Sequence, residues 1–447
     1  ALQSKLNPVF KEAVLVMNLT RLVSLALAVV SIPWSAGLAV AQGTPARGEE
    51  LKFVAIVTRH GVRPPTVSND QINPYSAEPW PKWDVPPGYL TAHGRALMKL
   101  FGAYDRAQFA RAGLFAPSGC ADVPRVYFWA DTDERTIETG RALAEGMLPG
   151  CTVEVRSAPA GTRDPLFNPV AAGVGHADPE LAAAAVAGRI GGHPEALLTA
   201  YRPALETIEQ VLTAGHTVKR SLLELPVSLG PAAGGLVEMR GPFATAATLA
   251  EDFLFEYTNG MEGHDLGWGR LTESNLRQMM ALHTAHADLT RRTPQIARTS
   301  ASNLLSHVLK AMEQAATGKA VPGAIGRPGD RMLVIVGHDS NLSNIQGTLN
   351  LSWLLPGDLP NDTPPGGALV FELWRQAAGG EYSVRTYYTA QTLEQMRQSL
   401  PLTLASPPAK ATVFVPGCST AKAGSPCDWK AFQRTIEAAV DPAFVKE

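Results

Sequence analysis

Three stretches of the chain are apolar without the alternation of a half-exposed strand, and each breaks off at a cluster of polar and charged residues. Residues 51–57 run into Thr58-Arg59-His60-Gly61, residues 125–130 into Asp131-Thr132-Asp133-Glu134-Arg135-Thr136, and residues 332–336 into Gly337-His338-Asp339-Ser340. Short, nearly continuous apolar runs of this kind predict strands covered on both faces, as in a sheet flanked by helices. After the second and third clusters the period lengthens to that of a helix, over residues 134–147 and 341–349. Strand, polar turn and helix in succession is the unit of an open α/β sheet, whose ligands sit beyond the carboxyl ends of the strands. The pattern predicts that the three clusters converge on one pocket.

Between the second and third strands the composition changes. Residues 161–324 carry helix-like stretches at 195–214, 244–257, 273–292 and 300–316, separated by Gly- and Pro-rich connections such as 225–242. They predict a helical insertion that roofs the pocket and selects the substrate, set into an α/β core made of residues 48–160 and 325–447. Residues 368–374, 382–388 and 412–415 read as further strands. The expected fold class is therefore α/β, with a mostly parallel central sheet flanked by helices and a helical insertion domain.

With 447 residues, 45% of them hydrophobic, the chain has ample material for a large core. Lys and Arg number 39 against 41 Asp and Glu, so the chain has no overall basic excess and no nucleic-acid partner is expected. Near the N-terminus, Arg21 precedes an apolar run from Leu22 to Pro33, and Ala39-Val40-Ala41 offers the small residues of a cleavage site. That arrangement predicts a secretory signal starting at Met17 and ending near residue 41, with residues 1–16 outside the fold. The apolar run falls short of the ~20 residues of a spanning helix, so no membrane association is expected after its removal. A periplasmic or secreted protein is the expectation, and four cysteines suit that setting. Of the three possible pairings, spacing favours Cys120–Cys151 and Cys418–Cys427; free buried thiols are the alternative, and no Cys-x-x-Cys spacing supports zinc.

The first cluster carries the most chemistry. Arg59 and Arg63 flank His60 at the end of a buried strand, with Gly61 expected to let a ligand approach and Pro64 to restrict the backbone. Guanidinium forks match phosphate oxygens bidentately. An isolated Arg-His pair is more often a salt-bridge cluster around a satisfied histidine. Here Arg135 joins from the second strand, with His338 and Asp339 from the third. Such a set suits a doubly charged anion.

These residues resemble the histidine acid phosphatases, the branch of the histidine phosphatase superfamily that includes bacterial phytases and glucose-1-phosphatases. The pattern is Arg-His-Gly-x-Arg-x-Pro from Arg59 to Pro65, a distant His338-Asp339, and accessory matches at Asp133-Glu134-Arg135-Thr136, Asp164-Pro165, Gly267-Trp268-Gly269, Arg292-Thr293-Pro294 and Thr363 to Gly367. The resemblance implies that His60 attacks phosphorus to form a phosphohistidine, that Arg59, Arg63, Arg135 and His338 hold the phosphoryl oxygens, and that Asp339 protonates the leaving group. No metal or other cofactor is implied, because the arginines take the place of a cation. A phosphomonoester substrate, a monomer and an acid optimum follow as expectations.

For the substrate, the resemblance points to phytate, with glucose 1-phosphate or broad specificity as the alternative. Thr66 and Glu251 match phytase pocket positions, whereas Ser340 resembles the glucose-1-phosphatases. Val67, Thr248 and Ser300 stand where the phytases carry Lys, Met and Arg. Lys52, Arg291, Arg292 and Arg298 are candidates to replace the lost charge. His283 and His286 lie three apart on an expected helix, but the sequence offers them no evident carboxylate or cysteine partner for a metal. Asp133 and Glu134 read as helix N-terminal charges that orient Arg135, and Gly366-Gly367 as a turn. Two other classes are less consistent with the chain: a mutase-type transferase acts on cytoplasmic metabolites, and a non-catalytic phosphate-binding protein is expected to lack His60 or Asp339.

Overall fold

The computed structural model describes residues 48–232 and 235–446; the expected export segment, residues 1–41, lies outside them. Its strands are β1 (Glu49–Arg59), β2 (Val126–Ala130), β3 (Val155–Ser157), β4 (Ser228–Pro231), β5 (Val237–Arg240), β6 (Met332–Gly337), β7 (Ala368–Gln376), β8 (Tyr382–Ala390), β9 (Ala409–Thr412) and β10 (Cys427–Asp428). Eight form one sheet in the order β10-β8-β7-β1-β6-β2-β3, with β9 against β8. The half carrying β1, β6, β2 and β3 is parallel, and β7 to β10 add an antiparallel half.

The apolar runs are continuous because both faces of the sheet are covered. Phe53, Ala55 and Val57 of β1 and Leu333 and Ile335 of β6 pack with Leu304, Leu305 and Val308 of the helix Pro294–Thr317. Val54 and Ile56, with Met332, Val334 and Val336, join Phe101 and Leu143 of the helices Ala92–Arg111 and Glu134–Met147 on the other side. In a pleated strand, neighbouring side chains must point to opposite faces, so burial of both leaves no polar position.

Register brings the three polar clusters level. Arg59 lies opposite Gly337, and Ala130 opposite Val336. The ladder continues one step further: the His60 amide donates to the Gly337 carbonyl at 2.9 Å and the Asp131 amide to that of Val336 at 3.0 Å. The convergence expected from the pattern is thus produced by three adjacent parallel strands.

Several elements differ from the sequence expectation. The helix over 195–214 is broken at Tyr201 into Ala196–Ala200 and Arg202–Thr213, because Pro203 suits the start of a helix and not its interior. The strand expected at 412–415 lies at Ala409–Thr412. The Gly- and Pro-rich connection 225–242 contains the hairpin β4–β5. Gly61, expected to admit a ligand, faces the helix Ala92–Arg111 instead; a Cβ there would come within 3.0 Å of the Leu90 and Met98 side chains.

A separate cluster joins the helices Arg202–Thr213, Pro242–Thr258 and Glu273–Thr290, where the Trp80 and Phe253 rings stack at 4.8 Å. Cys120 is bonded to Cys151 and Cys418 to Cys427. Among the described residues, no helix is long and apolar enough to cross a membrane.

Buried carboxyls tie this fold to acid conditions. Burial raises Asp105 to about 7 and Asp252 to about 8, and pushes Glu256 well above the usual carboxyl range. A raised carboxyl favours folding below its unfolded value, near 3.8 for Asp105, and that contribution is lost as the pH climbs through the folded value, at about 1.4 kcal/mol per pKa unit. Asp105→Asn, which retains the acceptor for the Gln108 amide, is expected to leave the Tm at pH 4 unchanged and to raise it at pH 8. Thermal melts across that interval check the prediction.

Candidate active site

At the level strand tips lies an open pocket of about 280 Å³ lined by His60, Arg63, Asp131, Thr132, Asp133, Arg135, Arg163, Asn168, His338, Asp339 and Ser340. His60 is 2% exposed, and its Nδ1 lies 2.8 Å from the Gly61 carbonyl. A carbonyl only accepts, so Nδ1 carries the proton and the lone pair of the neutral ring resides on Nε2. Burial first, and then Arg63, Arg59 and Arg135, hold the imidazole well below its ordinary pKa. It therefore stays neutral into acid solution.

The two arginines beside it are fixed from the helical layer. Arg59 donates from Nη2 to Glu251 at 2.5 Å and from Nη1 to the Thr363 carbonyl at 2.6 Å. Arg63 donates to the other Glu251 oxygen at 3.3 Å, and its guanidinium lies 4.3 Å from the centre of the Phe255 ring. Glu251 sits on the helix Pro242–Thr258 one turn before Phe255, so one face of that helix supplies both the counter-charge and the ring. Burial raises the Glu251 carboxyl, but Arg59 and His283 outweigh it and hold the group down at about 2. Glu251, a substrate-binding candidate from the sequence, is buried and anchors the two arginines.

The opposite wall is organised by carboxylates. Arg135 donates to Asp133 at 2.6 Å, the orienting contact expected from the sequence, and to the Gly88 carbonyl at 3.4 Å. His338 Nε2 lies 2.8 Å from Asp131, while its Nδ1 is 3.5 Å from an Arg135 Nη2 that can only donate. His338 thus gives its Nε2 proton to Asp131 and turns Nδ1 to the arginine side. The rings of His60 and His338 meet edge to face, with centres 5.6 Å apart.

Asp339 begins the helix Asp339–Thr348, is 9% exposed, and is paired through Oδ2 with Nη1 of Arg291. Burial alone pushes its carboxyl up, but Arg291, Arg59 and His283 together bring it well below the ordinary value. Of the four cations considered as replacements, Arg291 is the one bound to a pocket residue. Lys52 pairs with Glu50, Arg292 with Asp288, and Arg298 reaches the Val440 carbonyl.

Thr66 is exposed and does not line the pocket, whereas Ser340 does. His283, for which the sequence offered no carboxylate partner, has its Nε2 3.6 Å from Glu251 and 3.9 Å from Asp339. His286 lies instead beside Phe243, with ring centres 6.2 Å apart. Two groups are tight enough to share a cation: Asp131, Asp133 and His338, and Glu251, His283 and Asp339. In each, arginines already occupy carboxylate oxygens, so these donors fit guanidinium better than metal. Arg163 is a pocket residue that sequence reasoning passed over, although it directly precedes the match running from Asp164 to Pro169, whose Asn168 also lines the pocket.

A sequence profile of the histidine phosphatase superfamily, branch 2, matches residues 50–195 and 251–389. The chain belongs to this family. It is a phosphomonoester hydrolase, and the sheet with its flanking helices is the histidine phosphatase fold. The phytase AppA of Escherichia coli is 35% identical over 429 residues, covering 92% of this chain and 96% of that protein. A glucose-1-phosphatase of Salmonella typhimurium is 28% identical over 400 residues, covering 88% and 94%. The solved structure of Hafnia alvei phytase in complex with tartrate matches with a TM-score of 0.83 at 34% identity, covering 90% of this chain and all of that one.

The depressed pKa of His60 is open to test through its neighbours. Arg63→Gln removes the strongest cationic influence on the ring, so the acid limb of kcat/KM is expected to move to higher pH, with activity falling roughly 10²–10³-fold if Arg63 donates to the transition state as the family resemblance implies. A pH–rate profile against the unmodified enzyme measures both.

Proposed function

We propose that this enzyme hydrolyses phytate through a phosphohistidine. The observation that carries the mechanism is the donation of His60 Nδ1 to the Gly61 carbonyl, which leaves the Nε2 lone pair as the nucleophile among guanidiniums. In the first step a Nε2–P bond forms as the bond from phosphorus to the ester oxygen breaks, and Asp339 gives its proton to that oxygen. In the second, water attacks phosphorus, the Nε2–P bond breaks, and the proton lost by water returns to Asp339. The reaction releases an alcohol and inorganic phosphate, and one difficult displacement becomes two easier ones.

Arg59, Arg63 and Arg135 neutralise the phosphoryl oxygens, and they do so preorganised, because each is already held by Glu251 or Asp133. His338, fixed at Nε2 by Asp131, adds a donor when its Nδ1 is protonated. Every group comes from one chain, so a monomer suffices. The two disulfides support export to a periplasmic or extracellular space.

For the substrate, the name of the Escherichia coli relative and the added cations Arg163 and Arg291 favour a heavily phosphorylated ring. The second reading, a sugar phosphatase, rests on Ser340 lining the pocket and on the uncharged residues Val67 and Ser300 where the phytases carry cations. Helices between β3 and β6 remain the proposed source of this selectivity.

Phosphate release at about pH 5, in the carboxyl and histidine titration range, from phytate, glucose 1-phosphate and an aryl phosphate separates the readings. Phytate is expected to give the highest kcat/KM, and His60→Ala to be silent on all three. A higher value for glucose 1-phosphate favours the sugar phosphatase, and activity surviving in His60→Ala removes the phosphohistidine route.

A further inference from the structure

In the reading above, Asp339 must be protonated to serve as an acid, yet its carboxylate is held by a guanidinium. Arg291 follows the helix Glu273–Thr290 as its C-terminal cap, keeps its side chain 29% exposed, and binds Oδ2 of Asp339. Asp339 is the pocket-lining residue of this pair, and the guanidinium is held directly behind it by the ion pair. Among the described residues its carboxylate partner is Asp339 alone, whereas Arg59 and Arg63 are committed to Glu251. A phosphate dianion competes well for such a fork, since it offers a bidentate face and more charge than a carboxylate.

We propose that Arg291 is a substrate-operated latch on the general acid: it clamps Asp339 in the empty enzyme and moves to a second phosphoryl group of a polyphosphorylated substrate, freeing Asp339 to take up and deliver its proton. This inference rests on the assignment of Asp339 as the acid. It gives the enzyme a preference for substrates with a phosphate neighbouring the one cleaved, expressed in protonation as well as in binding. A monophosphate leaves the latch closed.

Asp339 shares its pocket with His60, Arg63, Asp131, Asp133, Arg135, Arg163 and His338, and further groups face it from the surrounding elements. Arg59 comes from the end of β1, Glu251 from the helix Pro242–Thr258, His283 and His286 from the helix Glu273–Thr290, and Tyr388 from β8. Arg59 is fixed by Glu251 and by the Thr363 carbonyl, and the His283 Nε2 at 3.9 Å is beyond hydrogen-bonding distance. Burial, with Arg291 and then His283 next, depresses the pKa of His286 to about 3, so it stays neutral in the working range. Of the cations that depress Asp339, Arg291 is thus the one with no second carboxylate beside it among the described residues.

The test compares kcat–pH profiles for phytate and glycerol 2-phosphate in the wild type, Arg291→Gln, Arg291→Lys and Asp339→Asn. In Arg291→Gln the alkaline limb for glycerol 2-phosphate is expected to move up by about one pH unit, while the limb for phytate stays in place and its KM rises about tenfold. Arg291→Lys, which keeps the charge without the fork, is expected to recover part of the phytate KM. Equal shifts for both substrates, or none for either, overturn the latch. Asp339→Asn separates this from failure of the underlying assignment: if it still turns over glycerol 2-phosphate at the wild-type rate, Asp339 is not the acid and both readings fall together.

Discussion

The site depends on burying two guanidiniums beside a neutral imidazole. Arg59 is 1% exposed, and removing such a charge from water costs several kcal/mol unless it is paired and hydrogen-bonded. Glu251 answers that demand for Arg59 and Arg63 together, from a helix 192 residues beyond Arg59 in sequence. The contact therefore does two things at once: it fixes the two guanidinium forks proposed to bind phosphate, and it ties the helical layer to the strand tips. Loss of one partner from such a pair leaves an uncompensated buried charge, which typically destabilises by about 3–5 kcal/mol.

From that concentration of positive charge the protonation states follow. The cations hold the His60 imidazole in its neutral form, as the proposed nucleophile requires, and hold the Asp339 carboxyl well below its ordinary value. At Asp105, Asp252 and Glu256 burial outweighs the contacts that favour the charged form, Arg63 beside Asp252 among them, and drives the carboxyls in the other direction. The two trends favour the same conditions. An acidic medium stabilises a fold with protonated interior carboxyls, and in the proposed mechanism it leaves the His60 ring neutral and supplies the proton for the leaving group.

The parts of the molecule that were legible in the sequence are those governed by local rules. The buried strands β1, β2 and β6 were visible as apolar runs because both faces of the sheet are covered, and the helix Glu134–Met147 because its period and its acidic start are both intact. Elements controlled by context were misread. Residues 195–214 carry one amphipathic period across a break that Pro203 sets, and the hairpin β4–β5 hides in a Gly- and Pro-rich connection with little apolar signal. His283 had no visible carboxylate partner, since both of its neighbours arrive from other elements.

What the sequence by itself determined was the inventory and its attachment points: a histidine between two arginines at one strand end, an arginine at a second, a histidine and an aspartate at a third. Short-range chemistry fixes these, because each side chain sits within a few residues of the strand that presents it. Only the tertiary structure decided which charges neutralise which. Arg59 with Glu251, His338 with Asp131 and Arg291 with Asp339 are separated by 192, 207 and 48 residues. Coulombic pairing in a buried site depends on distance and desolvation, neither of which is written in the spacing along the chain.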